Sequence, residues 1–450
     1  MKRTVYIVTL GCPKNQVDSE LMMGMLVEQG HELVLDPEAA DVLVVNTCSF
    51  IEAAKVESID TILELARLKE ATRKRLIVAG CLSQRYAEEL QRELPEVDGF
   101  VGTGRLSAIT AAVNAPLRCG RPLVYVGAGH SLAELERRRV ISGSAFSAYL
   151  KISEGCSRRC SFCIIPAVRG RHESRPLEAL LAESKSLARQ GVVELNLVAQ
   201  DLTAYGHDRR DGGLADLLRA LVRIKGIRWI RLLYVYPQRI TDDLLDVIAG
   251  EEKICRYIDM PLQHINDRVL RAMRRERSAE SLRRLVARIK RRVPGVVLRT
   301  SLIVGFPGET EAEFGELVEF VREGTIDHVG VFRYSREEGT LAAELPDQVP
   351  GAVKMLRYRT IMEVQAGVAA ARNAGRVGTT EEVLVCELGC DGRSIGRTRG
   401  QAPEIDGHIV LQGDAAPGDI ANARIVGAKT YDLRGVLVRG GRVDMAVGSL

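Results

Sequence analysis

The sequence is poor in aromatic residues, which make up 4% of its 450 residues and include a single tryptophan. It also lacks a run of about eighteen consecutive apolar residues, the length that a membrane-spanning helix needs. The first stretch, "MKRTVYIVTLGCPKNQVDSE", turns polar before the apolar segment of a signal peptide could develop. These absences argue against membrane and secreted proteins, and they predict a cytoplasmic location with no membrane partner.

A strong charge of one sign is missing as well. The 63 Lys and Arg residues against 59 Asp and Glu residues give a formal net charge of +4, which neither requires nor excludes a nucleic acid partner. Hydrophobic residues at 46% and charged residues at 27% are close to globular averages, which argues against disordered and fibrous classes. A chain of this length exceeds one ordinary core and predicts two or three domains.

Three apolar runs in the first third of the chain end alike. "TVYIVTLGC" ends at Cys12, "DVLVVNTC" at Cys48 and "RLIVAGC" at Cys81, and a helix-like stretch follows each run. This alternation is typical of a parallel α/β sheet, whose strands share one carboxyl edge where ligands bind. We therefore expect the three cysteines to meet at this edge, although each of them alone could be a small buried residue.

A second group of cysteines is close together in the sequence. The stretch "SEGCSRRCSFCIIP" places Cys156, Cys160 and Cys163 in a C-x3-C-x2-C pattern after the strand-like run "AYLKIS". Structural zinc uses four closed ligands, and a 4Fe-4S cluster has four irons to bind. A cluster held by three cysteines leaves one iron open to a substrate, whereas an electron carrier normally fills all four positions.

Five more strand-like runs follow "AYLKIS", with helical spacers between them. These runs are "VVELNLVAQ", "WIRLLYVYP", "YIDMPLQ", "VVLRTSLIVGF" and "HVGVFRYS". Six such units predict a barrel or partial barrel of β/α repeats, with its active site at the carboxyl ends of the strands. The second cysteine group lies on that face.

The last part of the chain changes character again. Short strands with Gly and Pro turns, beginning at "EEVLVCE", predict a small antiparallel β-barrel of the OB-like kind, a fold that often binds oligonucleotides. Residues 376–438 contain seven Lys or Arg and nine Asp or Glu, a balance of 7 − 9 = −2. A nucleic acid site would need positive charge and aromatic residues for stacking.

The remaining four cysteines have no third ligand nearby. Cys119 and Cys255 stand alone, and Cys386 and Cys390 form only a C-x3-C pair. Because a pair lacks the ligand count that metals require, we predict no third metal site.

The C-x3-C-x2-C pattern with Phe162 before its last cysteine resembles the radical S-adenosylmethionine superfamily. The resemblance implies that Cys156, Cys160 and Cys163 hold a 4Fe-4S cluster, whose open iron binds the amino and carboxylate groups of S-adenosylmethionine. An electron from this cluster would cleave the sulfonium of S-adenosylmethionine, which gives methionine and a 5′-deoxyadenosyl radical. That radical removes hydrogen from carbon atoms too weakly acidic for a side-chain base.

Two further stretches resemble the cosubstrate-contact strands of this superfamily. They are "ELNLVAQD" and "LIVGFPGET". The resemblance implies that Glu194, Ile303 and Gly305 contact S-adenosylmethionine, although each of them could equally be part of the barrel core.

The whole chain resembles the methylthiotransferases. Members of this family have a three-cysteine α/β domain, a radical barrel and a small TRAM-type barrel, in that order. The resemblance implies that Cys12, Cys48 and Cys81 hold a second, auxiliary 4Fe-4S cluster, whose open iron carries the sulfur that is methylated and then attached to the substrate. One S-adenosylmethionine would donate the methyl group and another would generate the radical. The expected domains are the amino-terminal domain at 1–118, a linker at 119–141, the radical barrel at 142–373, the TRAM-like barrel at 374–440 and a tail at 441–450.

Four separated motifs resemble one branch of the family, which methylthiolates the β-carbon of an aspartate in ribosomal protein S-twelve. They are "GCPKNQVDSE", "AQDLTAYG", "MPLQHINDRVLRAM" and "RYSREEGT". The acidic carboxyl-terminal barrel suits a basic ribosomal protein, since complementary charge favours encounter. The resemblance implies S-twelve as substrate, free or in the small subunit, an electron donor protein as partner, and a monomer. No catalytic residue is assigned beyond the cluster ligands, because hydrogen-atom abstraction needs no base.

Three alternatives remain open at this point. The first is a tRNA (adenosine C2) methylthiotransferase with the same clusters, whose first motif usually reads Gly-Cys-Gln-Met-Asn. The second is a non-catalytic electron carrier, which would need a fourth cysteine near each group. The third is a zinc-dependent RNA-binding module, which a brown, air-sensitive protein would exclude.

Overall fold

The computed structural model describes residues 2–72, 74–116, 122–127, 132–275, 278–389 and 392–438. Within these ranges the chain forms two six-stranded parallel sheets followed by a closed five-stranded barrel. This architecture confirms the predicted fold of an α/β domain, a partial β/α barrel and a small β-barrel. The predicted tail at 441–450 lies outside the described residues.

The amino-terminal unit is a parallel sheet with strand order β2-β1-β3-β4-β5-β6. Its elements are β1 (Thr4–Thr9), α1 (Pro13–Glu28), β2 (Glu32–Leu33), β3 (Val42–Thr47), α2 (Glu52–Thr72), β4 (Arg75–Gly80), α3 (Cys81–Glu93), β5 (Gly99–Gly102), α4 (Ala108–Asn114) and β6 (Leu123–Tyr125). Every residue of β3 and β4 is buried, as a parallel sheet covered on both faces requires. Strand β6 falls within the predicted linker, yet it pairs in parallel with β5.

The strands that precede the three early cysteines are neighbours. In the sheet, β1 pairs with β3 and β3 pairs with β4, all in parallel. Their carboxyl ends are therefore adjacent, as the sequence predicts.

The central unit follows the predicted β/α repeat. Its elements are β7 (Ser147–Lys151), β8 (Ser153–Glu154), α5 (Ile165–Arg169), β9 (Glu173–Ser174), α6 (Leu177–Arg189), β10 (Glu194–Val198), α7 (Leu214–Leu221), β11 (Trp229–Leu232), α8 (Asp242–Gly250), β12 (Ile254–Asp259), α9 (Asp267–Ala272), α10 (Ala279–Arg292), β13 (Val297–Val304), α11 (Glu311–Arg322), β14 (His328–Arg333) and α12 (Gly351–Gly375). All six predicted runs form strands, and they pair in parallel in the order β14-β13-β12-β11-β10-β7. Strands β7 and β14 are the two edges of this partial barrel.

The carboxyl-terminal unit is a closed barrel with strand order β15-β16-β17-β19-β18. Its strands are β15 (Thr380–Leu388), β16 (Ser394–Thr398), β17 (Ile409–Gln412), β18 (Ile420–Ala428) and β19 (Leu433–Leu437). Neighbouring strands are antiparallel as predicted, except that β17 and β19 pair in parallel.

The small barrel packs against the amino ends of the central strands. At the first residue of β11, the indole N–H of Trp229 donates to Glu382 Oε2 over 3.1 Å. At the first residue of β14, His328 Nε2 lies 3.2 Å from the Gly400 carbonyl oxygen. The small barrel therefore does not cover the opposite, carboxyl end of the partial barrel, which faces the amino-terminal unit.

In the described parts of the chain, each helix is too short or too polar to cross a membrane.

Candidate active site

The first three cysteines, Cys12, Cys48 and Cys81, are called the auxiliary trio below. Cys12 is the residue before α1, Cys48 follows β3, and Cys81 is the first residue of α3. Burial raises the pKa of Cys48 to about 12, and the thiols of Cys81 and Cys12 contribute to the same rise. The three cysteines lie together at the carboxyl edge of the sheet, because β1, β3 and β4 are neighbours and Cys81 Sγ lies 3.8 Å from Oδ1 of Asn15 in the first turn after Cys12.

A tight turn packs directly on this trio. Gly11 has a φ of +96°, and a Cβ at this position would lie 2.6 Å from Cys48 Cβ and 3.0 Å from its Sγ. The buried Asn15 ties the two loops together, since its Nδ2 donates to the carbonyls of Leu10 (3.0 Å) and Thr47 (2.8 Å). Only glycine fits this position without moving Cys48.

We expect the replacement Gly11→Ala to displace Cys48 and thereby to prevent the auxiliary trio from holding the second cluster that the sequence predicts. Gly191→Ala is the matched control, because Gly191 has a φ of +97° but nothing within 4 Å of an added Cβ. Both variants carry a similar backbone strain of about 1 kcal/mol. After anaerobic reconstitution, Gly11→Ala should retain about half of the iron, roughly one 4Fe-4S cluster, and Gly191→Ala all of it. Equal iron in the two variants would contradict the close approach.

Cys156, Cys160 and Cys163, called the barrel trio below, lie in the loop between β8 and α5. Burial raises the pKa of Cys163 to about 12, and the Cys160 and Cys156 thiols also raise it. Two donors reach this trio: the backbone N–H of Arg158 lies 3.5 Å from Cys156 Sγ, and Arg275 Nη1 lies 3.6 Å from Cys160 Sγ. These donors stabilise negative charge on the sulfurs.

The donor chemistry of both trios fits an iron–sulfur cluster. Cysteines bind iron as thiolates, and the bound metal compensates the negative charge of the gathered sulfurs. Within the described ranges, no three His, Cys, Asp or Glu side chains form a group suited to one metal ion. In a 4Fe-4S cluster each thiolate binds a different iron, so the ligands need not converge on one point.

Two of the cysteines outside the trios lie in described parts of the fold, in strands away from both trios. Cys255 is fully buried in β12, and Cys386 is partly buried in β15. Cys119 and Cys390 lie outside the described residues.

A buried arginine from the helix that follows the barrel trio contacts the auxiliary trio. Arg169, the last residue of α5, is 2% exposed and donates to Cys81 Sγ over 3.5 Å and to Asn15 Oδ1. Its guanidinium also pairs with Asp18 (3.0 Å) and Glu154 (3.1 Å). The segment that follows the barrel trio therefore contacts a cysteine of the auxiliary trio.

Two further contacts close the amino-terminal unit over the barrel mouth. Cys81 packs in one apolar cluster with Ile164 and Val168, just after the barrel trio. The carboxylate of Glu337, 2% exposed, pairs with Arg85 (2.7 Å) and with Lys55 (3.3 Å) of the amino-terminal unit. These contacts fix the position of one trio relative to the other.

Glu194, a predicted S-adenosylmethionine contact, does not lie at the carboxyl ends of the barrel strands, where the barrel trio lies. It is the first residue of β10, at the amino end of the strand, and its side chain is completely buried. Its oxygens accept from Ser147 Oγ (2.7 Å), Arg231 (3.2 Å) and Arg397 (2.6 Å). Burial alone would raise its pKa, but Arg397 and Arg231 lower it to about 2. The Glu194 carboxylate is thus already paired, and it lies at the end of the partial barrel opposite to the barrel trio.

Ile303 and Gly305 lie at the carboxyl end of β13, as their prediction requires. Ile303 belongs to an apolar cluster against which Phe162 of the barrel trio loop packs. Gly305 has a φ of +72°, and a Cβ there would collide with the Lys354 side chain. Both residues therefore stand on the face that carries the barrel trio.

Sequence reasoning missed the basic and aromatic side chains around the thiols. The ring of Tyr236 lies between the guanidinium carbons of Arg158 (4.0 Å) and Arg275 (4.2 Å). The signal for Arg158 and Arg169 was their closeness to the cysteine pattern in the sequence. No local signal links Arg275 or Tyr236 with Cys160, since only the barrel brings them together.

Three family models match the chain. They are the uncharacterized protein family UPF0004 over residues 4–102, the radical SAM superfamily over residues 150–321 and the TRAM domain over residues 377–438. Together these matches follow the three units of the fold.

Curated relatives match over nearly their whole length. A protein of Pelobacter propionicus named ribosomal protein uS12 methylthiotransferase RimO is 50% identical, over 96% of this chain and 98% of its own. A protein of Geobacter sulfurreducens with the same name is 49% identical, over 97% and 99%. Among solved structures, the radical S-adenosylmethionine methyltransferase TsrM from Kitasatospora setae has a TM-score of 0.54 at 18% identity, over 74% of this chain and 72% of that one. This likeness shows the fold alone.

Proposed function

Because this chain belongs to the family of ribosomal protein uS12 methylthiotransferases, we propose that it attaches a methylthio group to the β-carbon of an aspartate in uS12, the ribosomal protein S-twelve. The observation that supports this reaction best is the presence of two three-thiol sites, with Arg169, in the helix that follows the barrel trio, donating to Cys81 of the auxiliary trio. Two sites suit a reaction with two parts, the methylation of a sulfur and its insertion into a C–H bond.

The radical SAM match implies a 4Fe-4S cluster and S-adenosylmethionine. We assign this cluster to the barrel trio and a second 4Fe-4S cluster to the auxiliary trio. When bound, these groups supply the hydrogen-atom abstraction, the sulfur and the methyl group that side chains cannot supply. The aspartate β-carbon is sp3 and lies beside a carboxylate whose charge opposes deprotonation, so we expect no catalytic base.

The role of the protein side chains in this proposal is to position the two clusters and S-adenosylmethionine and to exclude water. Arg275 and Arg169 each place a guanidinium beside one thiol, Cys160 in the barrel trio and Cys81 in the auxiliary trio. We propose that Ile303 and the Gly305 backbone contact S-adenosylmethionine. Glu194 has no place in that contact, since its carboxylate is already paired at the other end of the barrel.

The remaining expectations are part of the same proposal. We place the radical barrel at 142–373 and the TRAM-like barrel at 374–440, and we extend the amino-terminal domain beyond the expected 118 to include β6. We expect a monomer that receives electrons from a donor protein. A ribosomal substrate favours a cytoplasmic location.

The test offers two substrates to the anaerobically reconstituted protein. Reductant, sulfide and S-adenosylmethionine are added, with a uS12 peptide carrying the target aspartate in one tube and bulk tRNA in the other. We expect the peptide to gain a methylthio group by mass spectrometry, with deoxyadenosine formed and tRNA unchanged. A methylthio group on tRNA alone would replace this proposal by the tRNA alternative.

A further inference from the structure

A buried histidine faces a buried glutamate behind the turn that contains Gly305. His264 follows β12 and Glu309 precedes α11, and both side chains are 0% exposed. His264 Nε2 lies 3.5 Å from Glu309 Oε1, and within the described ranges neither atom has a hydrogen-bond partner elsewhere. Because a buried polar atom without a partner costs about 1 to 3 kcal/mol, contact between these two atoms is favourable for both.

The backbone beside His264 decides which ring nitrogen carries the proton. Nδ1 accepts from the N–H of Asn266 over 3.0 Å, so the proton of the neutral ring is on Nε2. That N–H faces the Glu309 carboxylate. At 3.5 Å the attraction is weaker than that of an ordinary hydrogen bond, but burial strengthens it. His264 is therefore the donor of the pair.

The other oxygen of Glu309 holds the backbone of Gly305 and Phe306, called the Gly305 turn below. Glu309 Oε2 accepts from the N–H of Gly305 and from that of Phe306 (3.0 Å). Arg357 lies 3.3 Å from the same oxygen. Because a peptide group is planar and trans, the bond to the Phe306 N–H turns the Gly305 carbonyl away from Glu309. Among the described residues, no backbone N–H donates to that carbonyl oxygen, so it is available to a bound molecule.

These residues lie beside the barrel trio. Arg275 Nη1 lies 3.6 Å from Cys160 Sγ, and its Nη2 donates over 2.5 Å to the carbonyl of Pro261, three residues before His264. Phe162, before the last cysteine of that trio, packs on the apolar cluster at the end of β13. The segment after β12 and the turn after β13 therefore both contact the loop or the side chains that surround the barrel trio.

We propose that His264 is a positioning residue for S-adenosylmethionine, an inference that rests on the proposed function and its contact at Gly305. His264 acts through Glu309. Its N–H fixes one carboxylate oxygen, and the other oxygen then holds the Gly305 turn in the shape that binds the cosubstrate. A turn that is already held loses less conformational freedom on binding, which favours affinity. Because His264 touches no reacting atom in this proposal, it contributes to affinity and not to the chemical step.

Three variants of His264 separate this role from a purely structural one. His264→Gln keeps an N–H donor near the place of Nε2. His264→Asn keeps an acceptor for the Asn266 N–H, as in an Asx turn, but its side chain is too short to reach Glu309. His264→Phe keeps only an aromatic ring. The donor role predicts that the Gln variant resembles the wild type, whereas a structural role at Asn266 predicts this of the Asn variant.

Glu309→Gln tests the second member of the pair, and Glu313→Gln is its matched control. Glu313 also accepts from a backbone N–H and pairs with an arginine, but its partners are Thr310 (2.8 Å) and Arg268 at the start of α11. The control therefore removes a similar carboxylate from the same segment and leaves the Gly305 turn untouched.

The measurements are made on the anaerobic holoenzyme. Equilibrium dialysis with labelled S-adenosylmethionine gives its Kd. Hydrogen exchange, followed by mass spectrometry, reports the protection of the amides in the peptide that contains the Gly305 turn, and it does not depend on turnover. Steady-state kinetics separate the KM for S-adenosylmethionine from the kcat for deoxyadenosine formation.

We expect the Kd to rise about tenfold in His264→Asn, His264→Phe and Glu309→Gln, with faster exchange at the Gly305 turn, a raised KM and a kcat changed less than about twofold. His264→Gln and Glu313→Gln should bind S-adenosylmethionine as the wild type does. If His264→Asn keeps the affinity and His264→Gln loses it, or if all three His264 variants weaken binding alike, the inference is overturned. An unchanged Kd in every variant also overturns it, whereas the proposed function would survive if the uS12 peptide were still methylthiolated. A wild type that binds no S-adenosylmethionine would overturn both.

Discussion

Replacing the auxiliary trio by alanine should abolish methylthio transfer and leave the cleavage of S-adenosylmethionine to deoxyadenosine intact. The same replacement of the barrel trio should abolish both. The reason is that the two trios lie on separate segments, so that each would lose its proposed cluster alone. The auxiliary trio lies at the carboxyl ends of β1, β3 and β4, and the barrel trio lies in the loop between β8 and α5. Each triple variant should retain about four irons of roughly eight. Deoxyadenosine and modified peptide are measured by mass spectrometry, and iron by a colorimetric assay.

The matched control replaces cysteines that belong to neither trio. Cys255→Ala and Cys386→Ala remove a buried and a half-buried thiol from β12 and β15. Both should keep all of the iron and the activity, apart from a modest loss of stability. If the auxiliary triple variant instead lost deoxyadenosine formation, the assignment of separate tasks to the two trios would be wrong.

Replacing Glu194 by alanine should separate the carboxyl-terminal barrel from the partial barrel. The change leaves Arg231 and Arg397 buried without their shared carboxylate, which costs about 3 to 5 kcal/mol. The pKa of Glu194 is lowered to about 2 from 4.5, so its contribution is complete at pH 7 and is lost only as the pH falls through that interval. The chain has one tryptophan, Trp229, whose indole donates to Glu382 of the small barrel. Its fluorescence in a urea titration at pH 7 therefore reports this interface.

The control for this variant is Glu280→Ala. Glu280 forms an exposed ion pair with Arg284 over 3.2 Å, with side chains 77% and 71% exposed. Its loss should change the free energy of unfolding by less than about 0.5 kcal/mol. Similar urea midpoints for the two variants would show that the Glu194 pairs contribute no more than surface pairs do.

The local pattern of the sequence was enough to predict the strands and the place of the auxiliary trio at the strand ends. Three apolar runs that end in Cys12, Cys48 and Cys81 became the adjacent strands β1, β3 and β4, because parallel strands of one sheet must share an edge. The six runs of the central unit formed six parallel strands of one sheet, as a partial barrel of β/α repeats requires. Apolar periodicity and turn residues act over a few residues, so they can be read along the chain.

The partners of the charged side chains were decided only by the tertiary structure. Glu194 matched a cosubstrate-contact strand in sequence, but the docking of the small barrel paired it with Arg397, 203 residues away. Arg169 contacts Cys81 across 88 residues, and Lys14 lies on Tyr234. The candidate metal ligands could be predicted from the sequence, since that prediction uses only the chemistry and the spacing of the cysteines. Which charges are paired depends on how the three units pack, because burial and the distance between charged groups set the energy of a charge.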